Sequence, residues 1–390
     1  MFVAVPAPLK IVHVITRLIV GGAQENTLLS CEGQHANGHE VILLTGPSLG
    51  PEGSLMDRAT AGGYRVETID AMRRSVLPLQ DWRTYRQLLD FFRRERPDVV
   101  HTHSSKAGIL GRFAAWKAKV PHVVHTIHGL SFTSGGRVAN GVYARLEKLA
   151  AKRCHTIVSV ADAMTRESLA RGIGRPGQYA TVYSGMETAA FLHPPRPRDK
   201  VRRELGFADE DVAVVTVARL FEKKGHDDLL DAAPRLCAEN PRLKFLWVGD
   251  GNLRDQFEAR IKQMGLADRF ILTGLVPPER VPELVNAGDL LAHPSRREGL
   301  ARALPQGQLA GLPVVTYDVD GNAEGLIEGE TGYAVRAFDV PAFVTQVAAL
   351  ARDPAKRQQF GTRGRAFATD RFGADVMVAA LQTIYERKVR

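Results

Sequence analysis

The chain has 390 residues, room for two or three domains, and its 44% hydrophobic and 24% charged side chains suit a globular protein with a full core. Its net charge of +9 sits almost wholly in one half: residues 1–190 hold 23 basic and 15 acidic side chains, residues 191–390 hold 29 and 28, so the first half alone attracts anions at long range. Scattered glycines argue against low complexity, three distant cysteines (Cys31, Cys154, Cys237) against a disulfide framework or zinc site, and the lack of a long apolar run or basic leader against a membrane span or export signal.

A cytoplasmic protein is expected. In chain order, LKIVHVIT (9–16) reads as a buried strand, and Gly21-Gly22 opens a helical stretch through Ala36. EVILLT (40–45) is a second strand. A helical stretch over 81–96, stopped by Pro97, leads to the strand DVVHTH (98–103). Then come a helix over 105–118, the strand HVVHTIH (122–128), a helix over 140–153, and strands at 155–160 and 180–185. FLHPPRPRDK (191–200), with its prolines and basic residues, reads as a linker. The alternation restarts with strands at 211–219, 244–250, 269–274, 289–295 and 313–318, and 374–389 is an amphipathic helix. This pattern predicts an α/β protein of two doubly wound, Rossmann-like domains, 1–190 and 201–373, facing across a cleft. The 374–390 helix is expected to pack back on the first of them.

In doubly wound sheets, ligands bind past the carboxyl ends of the strands, so polar motifs there carry weight. GGAQE (21–25) follows the first strand: Gly21 and Gly22 either let backbone N–H groups approach a phosphate at a helix start or simply make the turn. VARLFEKKG (217–225) either brings Arg219 and Lys224 to one diphosphate, as a planar fork and a point charge, or is a solvated basic loop. In HPSRREGLARALPQGQLAGLPVV (293–315), Glu298 is expected in the loop and Gln306 on the following helix, both facing a ligand. The amides of Gly299, Leu300 and Ala301 would then point at phosphate oxygens. A capped buried helix is the plain alternative, and Pro305 shows that it starts late or is interrupted.

This set resembles family 4 of the glycosyltransferases, which has the GT-B fold. The resemblance covers nearly the whole chain. P-S-x-x-E-G reads Pro294 to Gly299, A-G-x-P-V-V reads Ala310 to Val315, R-L-x-x-x-K-G reads Arg219 to Gly225, and V-G-D-G reads Val248 to Gly251. Gly321 to Gly332 approximates G-x-x-E-x-I-x-x-G-x-T-G. G-G-A-Q (21–24), H-T-H-S-S-K-A-G (101–108) and H-T-I-H-G (125–129) are similar to polysaccharide and lipid-linked oligosaccharide transferases.

The resemblance implies transfer of a sugar from a nucleotide-diphosphate sugar, a UDP-sugar being favoured, to a saccharide or lipid-linked hydroxyl acceptor in surface polysaccharide, lipopolysaccharide or glycolipid synthesis. Retention at the anomeric carbon, without metal or other cofactor, goes with it. Arg219 and Lys224 would stabilise the leaving phosphate, Glu298 would bind donor-sugar hydroxyls, and His128 would hydrogen-bond the sugar in transfer. Gly249 and Gly251 would help seat the donor. The family's second glutamate is Gln306 here; an amide keeps an acceptor for ribose hydroxyls and adds donors, but is no base.

His101/His103 and His125/His128 have spacings compatible with metal ligation, yet no carboxylate pattern accompanies them, and no metal is expected. G-P-S-L-G (46–50) imitates a nucleophile elbow and Asp318-Val319-Asp320 a metal-binding D-x-D; both read as loop chemistry. In the 105–119 helix, Ile109, Leu110, Phe113 and Trp116 are expected to face the core. Lys106, Arg112, Lys117 and Lys119 around them form either a wet basic face or a reversible contact with anionic lipid at the inner face of the membrane. No nucleic-acid motif accompanies the charge. Two other classes stay open: a non-hydrolysing nucleotide-sugar epimerase, which needs acid/base carboxylates on the sugar, and a non-catalytic nucleotide-sugar binder, suggested by Gln306.

Overall fold

The computed structural model describes residues 7–48, 53–130 and 136–389. The chain divides into unit 1, Met1–Met186 with Ala374–Arg390, and unit 2, Glu187–Gly373. Unit 1 begins with β1 (Lys10–Ile15), α1 (Gly22–Ala36), β2 (Glu40–Thr45), α2 (Met56–Ala61) and β3 (Arg65–Thr68). It continues with α3 (Pro78–Glu95), β4 (Val99–His103), α4 (Ser105–Lys117), β5 (His122–Ile127), α5 (Arg137–Ala151), β6 (Thr156–Ser159), α6 (Asp162–Ala170) and β7 (Tyr179–Thr181). Among the described residues these strands form a seven-stranded parallel sheet in the order β3-β2-β1-β4-β5-β6-β7. Every residue of β1 after Lys10, and all of β4, is buried, as strands covered by helices on both faces require. Pro78 starts α3 where no intrahelical N–H is lost, and Arg96, left-handed at φ 50°, ends it before Pro97.

Unit 2 opens with α7 (Ala189–Leu192), α8 (Arg198–Glu204), β8 (Val212–Val217), α9 (His226–Glu239), β9 (Leu243–Val248), α10 (Arg254–Gln263) and β10 (Phe270–Leu272). It continues with α11 (Val281–Asn286), β11 (Leu290–His293), α12 (Ala303–Leu309), β12 (Val314–Asp318), β13 (Gly332–Arg336), α13 (Val340–Arg352) and α14 (Pro354–Phe372). Its parallel sheet runs β10-β9-β8-β11-β12-β13, over a core centred on the fully buried Phe245, Trp247, Phe257, Tyr317 and Phe343. Asp339 and Asp353 cap α13 and α14 by accepting the N–H of Ala342 and Lys356.

The chain then returns to unit 1 as α15 (Ala374–Val389), which packs along α1. Met377, Leu381 and Tyr385 join Ile11, Leu29, Val99 and Val124 in one cluster. The alternate strand residues Val12, Val14 and Val100 face a second cluster with Leu88, Phe92 and Ala114 of α3 and α4, so α15 and α3/α4 cover opposite faces of the sheet.

Several expectations are corrected. Residues 191–200, read as a linker, lie inside unit 2: Phe191 is buried, Asn286 Nδ2 donates to its carbonyl (3.0 Å), and Arg198 pairs with Asp289 (2.7 Å). The strand expected over 180–185 is only Tyr179–Thr181, while the edge strands β3 and β13 carry no apolar run that announces them. After β2, Ser48 Oγ donates to the Leu18 carbonyl (2.8 Å); residues 49 and 50 of the elbow-like pentapeptide lie outside the described residues.

The largest correction is α4. Its buried face consists of Ala107, Gly108, Gly111, Ala114 and Ala115 with Arg112, because the helix is wedged between α3, α5 and the sheet and only small side chains fit. Trp116 is instead 46% exposed. Arg112 is buried against Glu147 (2.6 Å) and donates to the Gly108 carbonyl, and Lys106 pairs with Asp81 (2.5 Å). Two of the four cations expected to meet lipid are therefore engaged within the protein.

Leu381→Ala should cost unit 1 about 2–5 kcal/mol, the range for truncating a buried leucine. Hydrogen exchange read by mass spectrometry should quicken in β1, β4 and α1 and stay unchanged in β8 and β9; uniform quickening would contradict the assignment of α15 to unit 1.

Candidate functional site

In unit 2 the strand order reverses between β8 and β11, the place where open α/β sheets leave a crevice at their carboxyl ends. The loop after β8 carries Arg219 and Lys224, the loop after β11 carries Glu298, and α12 carries Gln306. Lys224 Nζ lies 2.5 Å from Glu298 Oε1, and His293 Nε2, from the last residue of β11, lies 3.1 Å from the same oxygen. Burial alone would raise the Glu298 carboxyl; the His293 hydrogen bond and the Lys224 charge outweigh it and bring the carboxyl down to about 2. The backbone N–H of Glu298 donates to Asp320 Oδ2 (2.7 Å), and Gly321 N–H donates to the Gly299 carbonyl (2.8 Å).

Arg219 is exposed, lies over the Phe221 ring (4.8 Å to the centroid), and has no carboxylate partner among the described residues. Gln306 is half-buried, and its amide makes no hydrogen bond to them. Arg219, Lys224, Glu298 and Gln306 thus all sit on segments leaving β8 and β11. Ala301 is corrected: its N–H already donates to Asn322 Oδ1 (3.1 Å), so the amides left for a ligand are those of Gly299 and Leu300, in the loop before α12.

Three glycines make the constellation sterically possible. A Cβ on Gly225 (φ 72°) would lie 1.9 Å from the Pro294 carbonyl oxygen, so the β8 and β11 loops meet backbone to backbone beside Lys224. A Cβ on Gly249 (φ 139°) would lie 2.2 Å from the Ala218 carbonyl oxygen, and one on Gly251 2.4 Å from that of Leu220. Both glycines, expected at the donor, brace the backbone on either side of Arg219. His293, Asp320 and Asn322 are supporting residues that the motifs contain without revealing, since their partners lie on other strand-end loops. The D-x-D look-alike holds the Glu298 loop through Asp320.

In unit 1, Gly21 and Gly22 open α1, next to a cavity of about 250 Å³ at the ends of β4 and β5 lined by Ala23, Ser104, His125, Thr126, His128 and Gly129 among others. His128 Nε2 lies 3.0 Å from His103 Nδ1. Of the six ring nitrogens of His13, His101 and His103, one from each lies within 4.8 Å of the others, a cluster to which the sequence spacings do not point because His13 is on another strand. All six are engaged by hydrogen-bonding partners within the protein.

Two doubly wound parallel sheets in one chain are the architecture of the GT-B fold. The family model for glycosyl transferases group 1 matches residues 197–367, and that for the glycosyl transferase 4-like domain matches residues 21–185. The chain belongs to the family 4-like glycosyltransferases of the GT-B fold. It is 28% identical, over 88% of each chain, to an Escherichia coli UDP-Gal:alpha-D-GlcNAc-diphosphoundecaprenol alpha-1,3-galactosyltransferase. It is 29% identical, over 55% of this chain and 58% of the other, to a Mycolicibacterium smegmatis GDP-mannose-dependent phosphatidylinositol monomannoside mannosyltransferase. The crystal structure of Anabaena Alr3699/HepE in complex with UDP shares the fold, with a TM-score of 0.84 at 20% identity over 97% of this chain and 100% of that one.

Gly225→Ala should destabilise unit 2 by more than Gly265→Ala, each measured by denaturant unfolding. Both glycines are left-handed, worth about 1–2 kcal/mol to an added Cβ, but only Gly225 adds a backbone clash. Equal losses would remove the packing argument. Glu298 supplies a pH test. Its folded carboxyl titrates below the unfolded value, so it contributes stability above pH about 4.5 that is lost as pH falls to about 2. Glu298→Gln should flatten the acid side of the unit 2 stability profile in that window, and an unchanged slope would contradict the His293–Glu298–Lys224 arrangement.

Proposed function

We propose that this glycosyltransferase moves a sugar from a nucleotide-diphosphate sugar, a UDP-sugar being favoured, to a hydroxyl acceptor in polysaccharide or glycolipid synthesis, with retention and without a metal. The observation that carries the reading is Glu298, held ionised by Lys224 and His293 on strand-end loops that also present Arg219. In the reaction the acceptor oxygen bonds to sugar C1 while the bond from C1 to the diphosphate oxygen breaks, and the hydroxyl proton passes to the departing phosphate. Negative charge grows on that phosphate, where Arg219 and a second N–H of Lys224 stabilise it as fixed cations. Glu298 accepts hydrogen bonds from sugar hydroxyls, and the unpartnered Gln306 amide serves the ribose. The acceptor enters the unit 1 cavity beside His128. The UDP of the Anabaena structure and the UDP-sugar of the Escherichia coli enzyme support the choice of base; the GDP-mannose enzyme makes it one to be tested.

A panel of nucleotide sugars with and without acceptor tests this. Free nucleotide released only with acceptor supports transfer; an interconverted sugar, or saturable binding without turnover, overturns it. Arg219→Ala should lower kcat/KM by ~10²-fold or more. Gln306→Glu should stay active, whereas Gln306→Leu should weaken nucleotide binding by ~1–3 kcal/mol; unchanged affinity would exclude Gln306 from the ribose.

The same proposal places the protein at the inner face of the membrane through the outer surface of α3, α4 and α5. Trp82, Trp116, Val142 and Leu149 are exposed there, along with Arg83, Arg86, Lys117 and Lys148. Residues 101–153 hold nine basic side chains and one acidic, a balance that favours anionic lipid. Among the described residues no helix is long and apolar enough to cross a membrane, so the contact is peripheral and weakens as salt rises. Co-sedimentation with phosphatidylglycerol vesicles should be lost in Trp82→Asp/Trp116→Asp/Leu149→Asp and absent with phosphatidylcholine alone. Equal recovery with both lipids would favour a soluble acceptor.

A further inference from the structure

A hydrogen-bonded chain runs through the core of unit 1 to His128. Tyr385 of α15 lies 3.1 Å from Gln34 Nε2 on α1, Gln34 Oε1 lies 2.7 Å from His13 Nε2 on β1, and His13 Nδ1 lies 3.0 Å from His103 Nε2 at the end of β4. His103 Nδ1 completes it, 3.0 Å from His128 Nε2. Gln34, His13 and His103 are fully buried. Burial holds His13 down to about 4 and pushes His103 well below the usual histidine range, so both rings are neutral at pH 7.

Neutral imidazole has one N–H and one lone pair, which gives the chain a direction. An amide oxygen only accepts, so His13 Nε2 carries the proton and His13 Nδ1 must accept. His103 Nε2 then carries its proton, and His103 Nδ1 must accept in turn. The proton of a neutral His128 therefore sits on Nε2, and Nδ1 keeps a lone pair. The Tyr385 end is consistent with that amide orientation: its hydroxyl accepts from Gln34 Nε2 (3.1 Å) and has one proton to give to His101 Nδ1 (2.6 Å), whose Nε2 lies 2.6 Å from Thr126 Oγ1. A half-turn of the Gln34 amide would reverse every bond in the chain and put the proton of His128 on Nδ1.

We propose that Gln34 is a positioning residue for His128: acting through His13 and His103, it fixes the Nε2–H tautomer, so that Nδ1 carries a lone pair rather than a proton. The functional half rests on His128 serving the transfer reaction; the tautomer itself does not.

The test is ¹⁵N NMR of the full chain labelled at histidine, with His128 assigned from the spectrum lost in His128→Gln. His13, His103 and His128 should all show the Nε2–H pattern in the unsubstituted protein, and an Nδ1–H signal for His128 would overturn the proposal without any variant. In Gln34→Met, close in volume but unable to accept, His128 should become a mixture of tautomers while unit 2 and nucleotide binding stay unchanged. The ratio of kcat to acceptor KM should fall by ~10-fold or more, the loss expected when a site imidazole is no longer held in one tautomer. A pure Nε2–H tautomer retained in folded Gln34→Met would refute the role of Gln34. If no sugar transfer is found with any donor, the spectra still decide the tautomer, so failure of the functional reading and failure of the relay are told apart.

Discussion

A carboxylate withdrawn from water must be compensated on several sides, and in unit 2 that demand falls on Glu298. Its compensation comes from two neighbouring strands, His293 at the end of β11 and Lys224 after β8, while Asp320, after the adjoining β12, accepts the Glu298 backbone N–H and holds the loop in place. These strands adjoin only in the observed order, so the strand order is itself a condition for an ionised group in this place. The contact of Gly225 with Pro294 follows from the same demand, because Lys224 reaches Glu298 only if the two loops touch. Arg219, braced by Gly249 and Gly251, remains as positive charge without a carboxylate partner among the described residues.

Much of the fold is legible in the sequence because buried parallel strands are near-continuous apolar runs, as in LKIVHVIT and DVAVVTVAR. Where one edge or face is left open, the signal fades, and RVET and GYAVR are paired edge strands without any such run. Prolines mislead in another way. Those of residues 191–200 read as spacers, yet Pro197 immediately precedes α8. In α4 the period of bulky residues is only partly right: Leu110 packs on the core, but Trp116 is exposed, the tight space beside α3 and α5 selects alanine and glycine, and the buried cation is chosen by a partner, Glu147, 35 residues away.

For the candidate site, Arg219, Lys224, Glu298 and Gln306 are legible because each lies on a segment leaving a strand end. Their supports are less so. Asp320 sits inside a motif borrowed from another fold, and Asn322 satisfies the very amide, that of Ala301, that spacing offers to a phosphate. The histidines show the limit most clearly: His101 and His103 are two residues apart in sequence, but the chain runs from His103 to His13, 90 residues earlier, and on to Tyr385 through Gln34. No spacing rule contains such partners, whereas the parallel pairing of β1 with β4 puts His13 opposite His101.

The membership of α15 in unit 1 inverts the order in which the protein can be completed. Ribosomes make residues 187–373 before 374–389, so unit 2 has its entire set of strands and helices while one face of the older unit 1 sheet still lacks its cover. Ile11, Leu29, Val99 and Val124 must wait for Met377 and Leu381 through the synthesis of an entire intervening domain. Nascent chains of this protein therefore carry an unsealed apolar surface made early and closed last, the kind of transient exposure that favours aggregation before folding is complete.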